Sequence, residues 1–443
     1  MQVEWDVKKV TDIASKIRNA VVGGPFGSNL VARDYVETGV PVIRGQNMTG
    51  RWIGGNFAYV TQEKARSLEA NLARPGDIVF TQRGTLGQVA LVPEKPFERY
   101  LVSQSQMKLT VNRDNAEPLF FYYQFLSPAQ QEYIGQQAIQ VGVPHTNLGI
   151  LRETPVIVPP VIEQRAIAHI LGTLDDKVEL NGRMNETLKA VARAVFTSWF
   201  VDFDPVRAKS SGEPPESICR RLGLTPDLLT LFPSRLVDSE LGEIPEGWSV
   251  RGLDIVAALE TTSTSPTAQP DEVFEHYSIP AFDALTMPTY EFGSEIKSNK
   301  YIVSPLAVLV SKLNPETPRV WLPEVKTPRA VCSTEFMQFV PRSRKGRAHL
   351  YLMMCSDRMQ AEILKRVTGS TGSRQRAQPS QIAALSVLVP TEVLLESFDG
   401  FAAPLLDLVA QNREQSQVLA AIRDTLLPKL ISGELRIPLE GAA

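Results

Sequence analysis

Residues 161–200 read VIEQRAIAHILGTLDDKVELNGRMNETLKAVARAVFTSWF, a stretch that follows Pro160 with no further proline. Apolar residues recur in it at steps of four and three: Ile167, Leu171, Leu174, Val178, then Leu188, Ala192, Val195 and Trp199. That spacing predicts one long helix with a narrow coiled-coil seam rather than a broad core face. At 1.5 Å per residue the helix would be roughly 60 Å long. Asn181 and Asn185 occupy the two seam positions that the apolar residues skip. A polar residue mid-seam costs stability but fixes register, because misalignment leaves its amide without a partner.

The seam is repeated 231 residues later. Leu174, Asp176, Val178, Asn181, Leu188 and Ala190 map onto Leu405, Asp407, Val409, Asn412, Leu419 and Ala421. Asn412 again falls mid-seam. The two helices are therefore read as partners of each other, with Asn181 and Asn412 setting their register. The second helix covers residues 390–430, with a break expected near Gly400 or Pro404.

The flanking segments repeat as well. At an offset of 230, Pro75, Pro93, Ser103, Met107, Gln130, Glu132 and Gly142 match Pro305, Pro323, Ser333, Met337, Gln360, Glu362 and Gly372. Short β-rich runs between Gly, Pro and Asn turns make both copies mixed α/β. The expected fold class is α+β: two α/β domains and a pair of long antiparallel coiled-coil helices, as an internal repeat. The boundaries follow: 1–160 first domain, 161–200 central helix, 201–244 a proline-rich connector, 245–390 second domain, 391–443 second helix and tail. The frames agree while the loops differ. Residues 82–87 read QRGTLG where 312–317 read KLNPET. Similar scaffolds with divergent loops suggest two recognition surfaces for two targets.

Composition excludes several classes. The 443 residues carry a net charge of −3, so a nucleic-acid binder must concentrate positive charge locally. Three cysteines, Cys219, Cys332 and Cys355, are too few and too scattered for a disulfide framework or a zinc site. A cytoplasmic setting fits, and no apolar run is long enough to span a membrane. No Walker loop, H-E-x-x-H or G-x-S-x-G motif is present, and the chain reads as non-catalytic by itself. Asp175 and Asp176 sit on a helix flank, where solvation is the default reading. Two readers on a stiff helical pair suit a long repetitive ligand. DNA offers major-groove faces about every 34 Å.

Residues 199–209 (WFVDFDPVRAK), 239–248 (SELGEIPEGW), 426–438 (LLPKLISGELRIP) and 156–168 (VIVPPVIEQRAIA) closely resemble the DNA-sequence specificity subunit of type I restriction–modification systems. Residues 24–30 (GPFGSNL) and 83–92 (RGTLGQVALV) are similar to stretches inside that family's target recognition domains. The resemblance implies two target recognition domains, each reading one half of a split site in double-stranded DNA, with the helices as spacer. It implies two modification subunits that methylate adenine with S-adenosylmethionine, and restriction subunits that use ATP and Mg. No cofactor is expected on this chain. Residues 311–315 and 390–395 match the family pattern poorly, and 258–270 lacks the GPFGSNL motif. A non-catalytic coiled-coil scaffold that binds proteins rather than DNA stays open as the alternative.

Residue type selects the candidate DNA contacts. Arginine pairs bidentately with guanine, and Asn or Gln with adenine. The first domain offers Arg44, Gln46, Asn47, Arg51, Gln82, Arg83, His145 and Asn147. The second offers Lys312, Asn314, Arg342, Arg344, Lys345, Arg347, Arg374, Gln375 and Arg376. The run 369–376 (GSTGSRQR) joins a flexible backbone to a row of donors and is the first choice among them.

Overall fold

A computed structural model of the chain describes residues 5–139, 144–343, 345–368 and 375–438. It divides into two units, Met1–Glu179 with Gln417–Ala443, and Leu180–Ser416. The long helices are Val161–Phe200 and Glu392–Ser432, and each contributes one part of its length to each unit. The second helix is unbroken. Pro404 withdraws a backbone donor from the Gly400 carbonyl, but both residues are exposed, so water can satisfy the freed acceptor.

The first unit contains a four-stranded sheet in the order Val21–Gly23, Gln106–Leu109, Ile78–Thr81, Val89–Leu91. Its central strands are buried on both faces, which is why Ile78–Thr81 reads as a continuous β-favouring run rather than an alternation. A second sheet runs Tyr35–Val36, Ala58–Val60, Val40–Ile43, Tyr100–Val102, Leu72–Ala73, with Val40–Ile43 parallel to Tyr100–Val102. Asp6–Lys9 pairs with Pro155–Val158 just before the first long helix.

The second unit has the same topology. Its four-stranded sheet runs Ala257–Glu260, Phe336–Pro341, Val308–Ser311, Val320–Trp321. Ser249–Gly252 pairs with Ser386–Val389 as Asp6–Lys9 does with Pro155–Val158. The five-stranded sheets share four strands and differ in the fifth. The first unit adds Tyr35–Val36 beyond Ala58–Val60, whereas the second adds Ser263–Thr264 at the other edge, beyond Lys300–Ile302. Residues 201–244, read as a proline-rich connector, are folded. Helices Asp204–Ser210, Pro215–Leu222 and Pro226–Thr230 precede a hairpin of Leu236–Ser239 with Gly242–Pro245. Their Val206, Ile218, Leu229 and Phe232 are buried in the second unit's core. Pro205, Pro215 and Pro226 stand at helix starts, where a missing N–H costs nothing.

Within each unit the helices pair antiparallel. In the first, Glu163 meets Arg436 at 3.0 Å and Asp175 meets Arg423 at 2.5 Å. In the second, Asn181 meets Ser416, Asn185 meets Asn412 and Phe200 meets Phe398. Every predicted seam position of the first helix is buried or half-buried, and Asn181 and Asn185 are buried. Each long helix also caps a shorter helix of its domain. The buried Gln164 accepts the Glu117 N–H at 2.8 Å, ahead of Pro118–Leu126. Asp399 accepts the Gly346 and His349 N–H groups at the start of Arg347–Met354.

Candidate nucleic-acid interface

In the first unit the loops that hold most candidates meet at one end of the four-stranded sheet. Gly23 lies opposite Met107 and Gln106 opposite Thr81, so three strands terminate together. Residues 24–30, 82–88 and 103–105 leave from this end. Residues 44–47 join them because Ser103 N–H donates to the Ile43 carbonyl at 3.1 Å. His145 bridges Arg83, and Thr146 N–H donates to the Gln82 carbonyl at 3.0 Å. Arg83 and Gln46 are exposed there, and Arg44 and His145 are half-buried.

Other candidates at this end are structural. Asn47 is 1% exposed and donates its amide to the Gly54 and Asn56 carbonyls at 2.9 and 3.0 Å. Gln82 is buried beneath Gly23. Asn147 caps the helix Leu148–Glu153 by accepting the Ile150 N–H at 3.0 Å. These residues fix the loop's shape and leave direct contact to their neighbours.

The second unit has a corresponding end, where Ser311 lies opposite Phe336. Asn314 holds the left-handed conformation at φ +46°, which asparagine tolerates better than most residues. Its N–H donates to the Gln375 carbonyl at 3.1 Å, and Ala377 N–H donates to the Lys312 carbonyl at 2.9 Å. Lys312, Asn314, Gln375 and Arg376 are thus assembled from two distant segments. Arg376 forks onto Glu335 at 3.0 and 3.1 Å, and this hydrogen bonding raises its pKa. The carboxylate orients the guanidinium and offsets part of its charge. Arg344 and Arg374 lie outside the described residues.

Four candidates are committed elsewhere. Arg51 turns toward the first long helix, donating to the Gly172 carbonyl at 3.1 Å and pairing with Asp176 and Glu179. Burial would lower its pKa, but Asp176 and Tyr123 outweigh burial and raise it. Arg342, Lys345 and Arg347 follow Pro341, at the sheet end away from Ser311. Arg342 donates to the Asp254 carbonyl at 3.0 Å, and Lys345 pairs with Glu396. Arg347 donates to the Pro323 carbonyl at 2.6 Å, and burial lowers its pKa. A run of basic residues looked like a patch because sequence proximity says nothing of which sheet end it occupies. The expected solvation of Asp175 is corrected, since it accepts Tyr123 Oη–H at 2.6 Å besides pairing with Arg423, whereas Asp176 stays exposed while it pairs with Arg51.

Two residues at this end of the first unit's sheet carried no composition signal. Phe26 is 71% exposed in the 24–30 loop. Gln104 braces that loop, donating to the Gly27 and Leu30 carbonyls at 2.9 Å each. Gly24 has no room for a side chain, since a Cβ there would lie 1.8 Å from the Ser103 carbonyl oxygen. The GPFGSNL motif pointed to the loop, but only strand register shows which end of the sheet it joins.

Comparisons with known proteins bear on the family and the fold. Residues 2–190 match the family model described as the type I restriction modification DNA specificity domain. The chain is 24% identical to the type I restriction enzyme MjaIX specificity subunit of Methanocaldococcus jannaschii, over 98% of this chain and 94% of that protein. It is 23% identical to the HindI specificity subunit of Haemophilus influenzae, over 87% and 93%. Its fold is similar to the crystal structure of the type I restriction-modification S subunit from M. genitalium. That likeness has a TM-score of 0.59 and 15% identity, and covers 97% and 96% of the two chains.

Proposed function

We propose that the chain, whose residues 2–190 match the family model described as the type I restriction modification DNA specificity domain, selects a split site in double-stranded DNA. Each unit reads one half-site with the loops at one end of its four-stranded sheet. The observation that carries this reading is the pairing of one topology with two loop sets. Arg83 and His145 stand in the loops where the other copy has Lys312, Asn314, Gln375 and Arg376, and Gln46 joins them from a neighbouring loop. Equal frames with unequal donors suit two different base sequences. The antiparallel helices act as the spacer that sets the distance between half-sites.

The chemistry then lies with partner subunits. Two modification subunits methylate adenine with S-adenosylmethionine, and restriction subunits use ATP and Mg. This chain contributes selection and docking rather than a reacting group. Among the described residues no helix is long and apolar enough to cross a membrane. Methylome sequencing of a host with and without the chain tests the reading, together with a chain whose residues 1–160 come from a relative. One half of the methylated motif should change with that exchange. A motif that changes in both halves, or in neither, would end the two-reader model.

A further inference from the structure

Arg18, Arg66, Arg74 and Arg113 line one open cleft of about 990 Å³ in the first unit. All four are exposed. Among the described residues, none of them forms an ion pair, and Arg113 donates to the Pro75 carbonyl at 3.1 Å. Asp77 in the floor is neutralised within the fold. Lys108 Nζ lies 3.1 Å from its carboxylate, and Thr110 Oγ–H donates to it at 2.6 Å. That leaves Glu69 as the one further carboxylate in the lining. Four guanidinium groups around one unpaired carboxylate is a concentrated anion site in a chain whose net charge is −3.

Four charged residues of the cleft have no charged counterpart in the other copy of the repeat. Strands Ile78–Thr81 and Val308–Ser311 share an offset of 230, as do Gln106–Leu109 and the start of Phe336–Pro341. At that offset Arg74, Asp77, Lys108 and Arg113 become Ser304, Ala307, Gln338 and Ser343. Gln338 uses its amide inside the fold, accepting the Ser304 N–H and donating to the Ile302 carbonyl at 2.9 Å each. The matching positions carry no charge.

The cleft lies at the sheet end opposite the reading loops, since Asp77 precedes Ile78 and Arg113 follows Leu109. Strands of this length separate the two ends by roughly 13–17 Å. That is close to the ~12 Å width of the major groove. With its strands laid across the groove, a unit that reads base edges with one end meets flanking backbone with the other.

The geometry points to a phosphate clamp in the first unit: Arg18, Arg66, Arg74 and Arg113 hold the phosphodiester backbone beside the half-site this unit reads. This rests on the proposed reading of DNA as the ligand. The second unit carries no charge at the positions matching Arg74 and Arg113, so the two halves of the site contribute unequal shares of salt-dependent affinity.

The test is fluorescence anisotropy of the full chain with a random-sequence duplex across a salt series. R18Q/R66Q/R74Q should weaken binding and reduce the slope of log K against log salt by about 0.9 for each phosphate it no longer neutralises. The charge-preserving R18K/R66K/R74K should keep the slope. E69K adds a charge to the cleft without touching the arginines, and should steepen the slope. An unchanged slope in the folded triple-Gln variant, or in E69K, overturns the clamp. So does a triple-Gln variant that loses binding to polyglutamate but not to duplex, because the cleft would then be a site for acidic protein. A chain that binds duplex without base preference sinks the two-reader model and leaves the clamp standing. Failure of the unaltered chain to bind any duplex overturns both.

Discussion

Asn412 donates its side-chain amide to Asn185 Oδ1 at 2.9 Å, one helical turn from Asn181, its counterpart in the internal repeat. Asn181 in turn points its amide at the Asn412 carbonyl, Gln415 Oε1 and Ser416 Oγ, at 3.3, 2.9 and 3.2 Å. Three buried asparagines, not two, thus meet between the helices in the second unit. Shifting one helix by a turn would leave several of these amides unpaired away from water.

Replacing one partner should cost more than replacing both. Asn185→Leu, like Asn412→Leu, strands its partner's amide, Asn412 being 7% exposed, and should destabilise the second unit by about 1–3 kcal/mol. The double variant N185L/N412L removes donor and acceptor together and should recover much of that loss. Urea unfolding of the four proteins of the cycle gives the coupling energy. A coupling below about 0.5 kcal/mol would mean that this hydrogen bond does not set the register.

In the first unit Asp175 joins three elements, accepting Tyr123 Oη–H from the recognition domain and pairing with Arg423 on the second long helix. Burial, reinforced by Asp175, pushes the Tyr123 phenol above its ordinary pKa, so Tyr123 stays a donor through the neutral range. Asp175→Asn keeps the shape but removes the charge that holds Arg423. We expect a loss of about 2–3 kcal/mol, read as a lower urea midpoint. A midpoint equal to that of the unaltered chain would show the network to be incidental.

His349 is buried against Phe196, Phe200 and Phe398, and desolvation lowers its pKa to about 4. In the unfolded chain an imidazole titrates near 6.5. Between these values the unfolded state binds the extra proton, so stability falls as pH drops from 6.5 toward 4. The contribution is complete above pH 6.5, and its loss amounts to at most about 3 kcal/mol. Asp399, whose pKa burial raises, works in the opposite direction, so the comparison must be with His349→Phe. The variant should lose less stability than the parent between pH 7 and pH 4.5. Parallel pH profiles would rule His349 out as the cause.

Arg51→Ala separates an anchoring role from a reading role. Asp176 and Glu179 are largely exposed and can be rehydrated, so the cost should be modest, about 1–2 kcal/mol. The methylated motif should keep its bases. A changed base preference in a folded R51A chain would return Arg51 to the DNA interface.

Some of this architecture was legible in residue order alone. The step of four and three in residues 161–200 is a local regularity, and a helix expresses it directly. The duplication at 230 is a comparison of the chain with itself, and strand registers such as Ile78 with Leu109 and Val308 with Phe339 preserve it. Residue chemistry was a weaker guide to the interface. Arg51, Asn47 and Arg347 have the donors that DNA recognition needs, yet each donates to carbonyl groups of its own unit.

The sequence by itself determined the two helices, the doubled α/β frame and the segments that form loops, because periodicity and self-similarity are properties of order along the chain. Tertiary structure alone decided that Asn412 meets Asn185, that Lys312 and Asn314 join Gln375 and Arg376, and that four scattered arginines share a cleft. Those outcomes depend on how strands and helices distant in sequence are aligned. A shift of one residue in a strand would turn each side chain to the opposite face.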